Sequence, residues 1–147
     1  DLPVQVASTG HSKVMIPLRS RTALEALAPD LPALTALSQE IGCNGYFAFT
    51  FDHPDAGALT QARMFAPAIG IPEDPVTGNG NGPLGAYLVH HRRVAHDGRR
   101  FAFRGAQGDR TGRSGYVDVE VAIEREQPIR VSITGDAVIV FRTEMEL

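Results

Sequence analysis

The spacing of apolar residues changes several times along the chain, and each change predicts an element. Residues 3–7 (PVQVA) and 13–18 (KVMIPL) are apolar and β-branched on either side of the turn-forming STGHS, which predicts a β-hairpin. Leu24 and Leu27, then Leu31, Leu34, Leu37 and Ile41, recur at helical spacing with Pro29 between them, so two short amphipathic helices are expected over 21–28 and 31–41. GYFAFTF (45–51) and QARMFAP (61–67) predict strands joined by the polar loop DHPDAGALT. Four more strands are expected over 99–105, 115–123, 128–134 and 136–142. Within 115–123, Val117, Val119, Val121 and Ile123 alternate with Asp118, Glu120 and Ala122, the period of a sheet with one wet face.

One segment breaks this pattern. From about Pro83 to His91 the chain reads as a helix, and Leu84, Gly85, Ala86, Tyr87, Leu88 and Val89 leave it no polar face, so protein must surround it. A strand-rich chain with one such helix predicts an α+β fold, a curved mixed β-sheet wrapped around a central apolar helix. The 147 residues suit a single domain over 1–147, or one half of a larger two-part fold.

The candidate chemistry lies at the entrance to that helix, in GIPEDPVTGNGNGPLGAYLVHH (70–91). A helix start carries amides without internal partners and a partial positive charge, which suits an anion. Thr77, Gly78, Asn79 and Gly80 lack bulky side chains, so a carboxylate or phosphate can approach their amides, with Thr77 or Asn79 as the cap. Pro83 fits best within the first turn or so. Asp74 stands just before this pocket, placed to exchange a proton with a ligand or to orient a catalytic group; a capping or turn role for Asp74, and a plain tight turn for NGNG, are the alternatives. Gly80, Gly82 and Gly85 satisfy G-x-G-x-x-G, but no strand leads directly into them and no alternating strand–helix units surround them, which argues against a dinucleotide site. No Lys-Ser or Lys-Thr follows the glycines, which excludes a Walker loop.

Charge narrows the function classes. The formal net charge is -3 and Lys13 is the sole lysine, so no basic stripe tracks a nucleic acid. The single cysteine, Cys43, rules out an internal disulfide and a cysteine-rich zinc site. No run approaches the roughly 18 apolar residues of a membrane span and no basic-then-apolar leader opens the chain, so a cytoplasmic location and no membrane partner are expected. Asp1 in place of an initiator Met leads us to expect a fragment.

The stretch RMFAPAIGIPEDPVTGNGNGPLGAYL (63–88) resembles the C-terminal-half signature of the PhzF-like family, named for phenazine biosynthesis, and VQVASTGHSKVMIPL (4–18) resembles the opening of that half. The resemblance implies a fold like diaminopimelate epimerase, two similar halves with a site in the cleft between them. It also implies isomerase chemistry without a cofactor, in which side chains move a proton on a small carboxylated substrate. Matched position by position, Asp74 corresponds to the active-site acid, and Thr77, Gly78 and Asn79 to the helix-mouth anion site with Gly80 beside them. Ser8, Thr9 and Gly10 correspond to the facing turn, and under the family geometry His11 of the same turn would line the cleft and face the anion site. Asn79 departs from the serine of phenazine-type members, replacing a hydroxyl with an amide and putting the phenazine substrate in doubt.

The family's catalytic glutamate belongs to the N-terminal half, and no second copy of the signature occurs here. The candidate partners are therefore a small carboxylated molecule, the N-terminal half on the same or another chain, and a second copy in a homodimer. Related epimerases use a cysteine pair, whereas Cys43 reads as a small buried residue. His90, His91 and His96 invite a metal, but neighbouring helical histidines point about 100° apart and H-E-x-x-H is missing, so none is expected. An isomerase and a non-catalytic module that keeps only the anion pocket are the two readings left.

Overall fold

The structure is a computed structural model, and it describes residues 2–145. The STGHS turn joins β1 (Gln5–Ala7) to β2 (Lys13–Pro17) in antiparallel register, Gln5 opposite Met15 and Ala7 opposite Lys13, as the apolar runs predict. Helices α1 (Arg21–Glu25) and α2 (Leu31–Ile41) follow, started by the side chains of Ser20 and Asp30, which accept from the Ala23 and Ala33 amides. They cross over so that β3 (Tyr46–Thr50) runs parallel to β2. Next, β4 (Thr60–Ala66) lies antiparallel to β3, and both strands are buried along their whole length.

At β4 the sheet forks. The second edge of β4 is shared: Thr60–Ala62 pair in parallel with the end of β6 (Arg100–Gln107), while Met64–Ala66 pair antiparallel with β5 (Ile71–Asp74) across a bulge. From β5 the chain passes into α3 (Gly78–His90). Strands β7 (Gly115–Glu124) and β8 (Gln127–Thr134) complete the order β1-β2-β3-β4-β6-β7-β8, with β5 attached only to β4.

The curled sheet encloses α3. Leu84, Leu88 and Val89 have no exposed surface and Tyr87 has 3%, in one core with Phe47 and Phe49 of β3, Phe103 of β6 and Val119 and Val121 of β7. Close approach depends on small residues: a Cβ at Gly85 would stand 2.9 Å from methyls of Val119 and Val121, and one at Gly80 would strike the Phe47 ring. The predicted alternation in β7 holds, with Val117, Val119, Val121 and Ile123 all buried. On the other face of the sheet Val14, Cys43, Tyr46 and Phe65 form a second cluster beneath Leu27 and Leu34. Cys43 is therefore the buried small residue that the sequence suggested.

The structure corrects three expectations. Helix α3 begins at Gly78 rather than near Pro83, so NGNG is helical and Pro83 lies in its second turn, where its missing N–H leaves the Asn79 carbonyl without the usual bond. Residues 71–74 form a strand that the sequence did not announce; Pro72 is tolerated because β5 pairs with β4 alone. Residues 136–142 form no strand: Val138 (86% exposed), Ile139 (68%), Val140 (88%) and Phe141 (79%) stand open to solvent. Their composition favours a strand, but strand formation needs a neighbouring edge and packed side chains, and among the described residues none pairs with them. Among the described residues no helix is long and apolar enough to cross a membrane.

Candidate active site

The fork in the sheet builds the site. Ala62 and Met64 are close along β4, and their partners are Gln107 at the end of β6 and Asp74 at the end of β5. Two strand ends from distant sequence therefore meet beside the start of α3. Gly108 permits the approach: its φ is +95°, and a Cβ there would lie 2.8 Å from the Pro75 carbonyl. On the neighbouring residue of β5, Glu73 is held by a two-point ion pair with Arg63 (2.9 and 2.8 Å), leaving Asp74 as the carboxylate turned toward the helix start.

The Thr77 hydroxyl donates to Asp74 Oδ2 at 2.6 Å. Thr77 is the N-cap by backbone geometry, but its side chain serves Asp74 and makes no cap hydrogen bond. Gln107, 1% exposed, donates through Nε2 to the Asp74 carbonyl (2.7 Å) and to Thr77 Oγ1 (3.0 Å), and accepts at Oε1 from the Thr77 amide (3.1 Å) and Asn81 Nδ2 (3.2 Å). Asn81, fully buried, also donates to the Thr77 carbonyl at 3.0 Å. Among the described residues no group donates to Asp74 Oδ1, and Asp74 is half-buried.

The four amides of the sequence-derived anion site separate into two kinds. Thr77 N–H is spent on Gln107, and Gly80 N–H on the Thr77 carbonyl at 3.1 Å. Those of Gly78 and Asn79, the first two helical positions, have no protein partner among the described residues, and these residues are half-buried and exposed respectively. Among the described residues the mouth of α3 thus has two amides without a partner, within five residues of one carboxylate.

The facing turn is only partly brought in. Thr9 reaches α3, its Oγ1 standing 3.7 Å from where a Cβ on Gly82 would be, and Ser8 and Thr9 line a cavity of about 290 Å³ with Ala86 and residues 129–131. Gly10 donates to the Ser8 hydroxyl at 3.1 Å and takes φ +121°, which glycine adopts readily. His11 is exposed and its Nδ1 lies 3.1 Å from Lys13 Nζ, so its ring is engaged there. Burial holds the Lys13 amine below its usual range, with Cys43 opposing in part. Of the histidines of 90–96, His90 and His91 pack edge to face at 4.9 Å with His91 Nε2 on Gln5 Oε1 at 2.7 Å, while His96 faces Glu126.

Two residues of the network, Gln107 and Asn81, do not stand out as chemistry in the sequence, yet both had a signal. Phe101, Phe103, Gly105 and Gln107 share the inward phase of β6, and Asn81 shares a helix face with Leu84, Gly85 and Leu88. A polar side chain on an otherwise apolar inward face must find buried partners.

Comparison with known proteins supplies the setting. The family model described as phenazine biosynthesis-like protein (PhzC-PhzF) matches residues 1–143. The chain is similar to an uncharacterized isomerase, YddE, of Escherichia coli strain K12, at 56% identity over 97% of this chain and 48% of the relative. It is also similar to the trans-2,3-dihydro-3-hydroxyanthranilate isomerase of Pseudomonas aeruginosa, at 33% identity over 92% of this chain and 45% of that protein. In fold it matches the crystal structure of a Bacillus anthracis phenazine biosynthesis protein of the PhzF family, with a TM-score of 0.71 and 22% identity over 91% of this chain and 50% of that one. The chain spans about half the length of the curated relatives it matches. The motif, the fold and the family match over 1–143 agree: this chain belongs to the PhzC-PhzF, phenazine biosynthesis-like family.

Proposed function

We propose that this chain supplies one half of the active site of a cofactor-independent isomerase that moves a proton on a small carboxylic acid. Asp74 is the acid/base group, and the Gly78 and Asn79 amides seat the substrate carboxylate. The observation that carries the reading is the pairing, among the described residues, of an Asp74 oxygen without a donor and two unspent amides at the mouth of a buried helix. Relatives named as isomerases support the reaction class, and the carboxylated substrate in the name of the Pseudomonas aeruginosa relative supports an anion seat. In the reaction, Asp74 takes a proton from one substrate carbon as the double bond shifts, and a proton is delivered to another; substrate and product have the same composition. The opposing acid/base group and the far wall of the cleft come from the other half of a longer protein or from another chain.

The test follows deuterium. The protein containing this chain together with that other half is incubated in heavy water with trans-2,3-dihydro-3-hydroxyanthranilate, and uptake of solvent deuterium is followed by NMR. Asp74→Asn is expected to lower the uptake by about 10²–10⁴-fold, the usual worth of a positioned proton-transfer group. Uptake unaffected by that change would remove Asp74 from the chemistry. Binding without any exchange in the unaltered protein would leave an anion-binding module in place of an enzyme.

A further inference from the structure

We propose that Gln107 is the positioning residue of this site: it fixes the direction of the Thr77 hydroxyl proton and anchors the first turn of α3 so that the Gly78 and Asn79 amides face outward. The inference deepens the function proposed above and rests on it for the role of Asp74.

A primary amide has two N–H donors and an oxygen with two lone pairs, and Gln107 uses all four, toward Asp74 O, Thr77 Oγ1, Thr77 N and Asn81 Nδ2. Turning the amide over would set donor against donor at Thr77 N and at Asn81 Nδ2, so its orientation is fixed. Because Thr77 Oγ1 accepts from Gln107, its single proton is left for Asp74 Oδ2, 2.6 Å away. The carboxylate is thereby held by Oδ2 and presents Oδ1.

The same amide decides which helix-start amides are available. Gln107 Oε1 takes the Thr77 N–H, and Asn81, oriented by Gln107, takes the Thr77 carbonyl, which also receives the Gly80 and Asn81 amides. With glycine at 78 and 80, this turn has little helical preference of its own and needs that anchor. Burial makes the anchor effective: Gln107 is 1% exposed and Asn81 fully buried, so water does not compete for these bonds. Asn81 Oδ1 has no partner among the described residues, so Gln107 is the only side chain seen to orient that amide.

The experiment compares the native chain, within the protein that contains it together with the other half, with Gln107→Met and Gln107→Glu by NMR. Met matches the length without polar atoms, and Glu keeps the shape and an acceptor oxygen but loses the donors. In the native chain the Thr77 hydroxyl proton is expected to exchange slowly enough to be seen; fast exchange there overturns the proposal outright. In a folded variant the hydroxyl signal should disappear and the Gly78–Asn81 amides should exchange at least tenfold faster, while β7 amides keep their protection. Binding of anthranilate, a stable carboxylate probe read at the Gly78 and Asn79 amides, should weaken about tenfold, equivalent to 1.4 kcal/mol. Unchanged exchange of the Thr77 hydroxyl and of the first turn in either folded variant overturns the role. If the native chain does not take up anthranilate, the seat proposed for the substrate fails, while the exchange measurements still decide what Gln107 does.

Discussion

At the scale of single residues, burial of polar groups was the part of the site hardest to read in advance. Asp74, Thr77, Gly78 and Asn79 fall within six residues and are visible in the sequence, whereas Gln107 joins them only through the strand pairing that brings β6 to β4. Lys13 is a similar case, 2% exposed, with His11 Nδ1 and the Ser12 carbonyl as partners for its amine. Burial lowers its proton affinity in the folded chain relative to the unfolded one. Between that lowered value and the ordinary one of 10.5 the unfolded state binds more protons, so stability attributable to Lys13 rises with pH across this window, and the cost of burying the charge is present in full below it. Lys13→Met should abolish that rise, leaving urea midpoints at pH 7 and 10.5 closer together than in the native chain. An undiminished difference would place its origin in another group.

At the scale of elements, α3 is legible in its apolar middle but not at its start, because Asn-Gly-Asn-Gly carries the local signature of a turn. Tertiary contact overrides that preference: Gly80 lies against the Phe47 ring, Gly82 is buried near Val131 and Ile133, and the Thr77 carbonyl is held by Asn81. The glycines of this turn are thus set by the space available inside the sheet. Gly80→Ala should destabilise the chain by about 1–3 kcal/mol in denaturant unfolding, even though alanine favours helices, because the added methyl meets an aromatic ring with no exposed surface of its own. A stabilised variant would mean that Phe47 can move aside at little cost. The β7 strand was the most legible element, since its alternation needs only one wet face.

At the scale of the whole molecule, the enclosed helix and curled sheet follow from hydrophobic pattern, while the fork at β4 does not. A strand whose one edge serves two partners in opposite directions leaves no mark on its own sequence, and IPED (71–74) carries no strand pattern of its own. The segment 136–142 failed for the converse reason, having strand composition without an edge to join. Truncation after Gly135 is expected to leave urea stability of the folded body within about 0.5 kcal/mol of the intact chain, since Val138, Ile139, Val140 and Phe141 make no core contact. It should also reduce self-association in sedimentation velocity, because contiguous exposed apolar residues promote contact between molecules. A large loss of stability on truncation would show that the tail lies down on the body.

The divided edge of β4 gives the molecule a keystone. Opening β5 alone, or β6 alone, still leaves that strand hydrogen-bonded on its far side to β3 and on part of its near side to whichever neighbour remains. Isotope exchange under native conditions should therefore reach the peptide groups of 60–66 last, after the arms of the fork have each come loose in their own time.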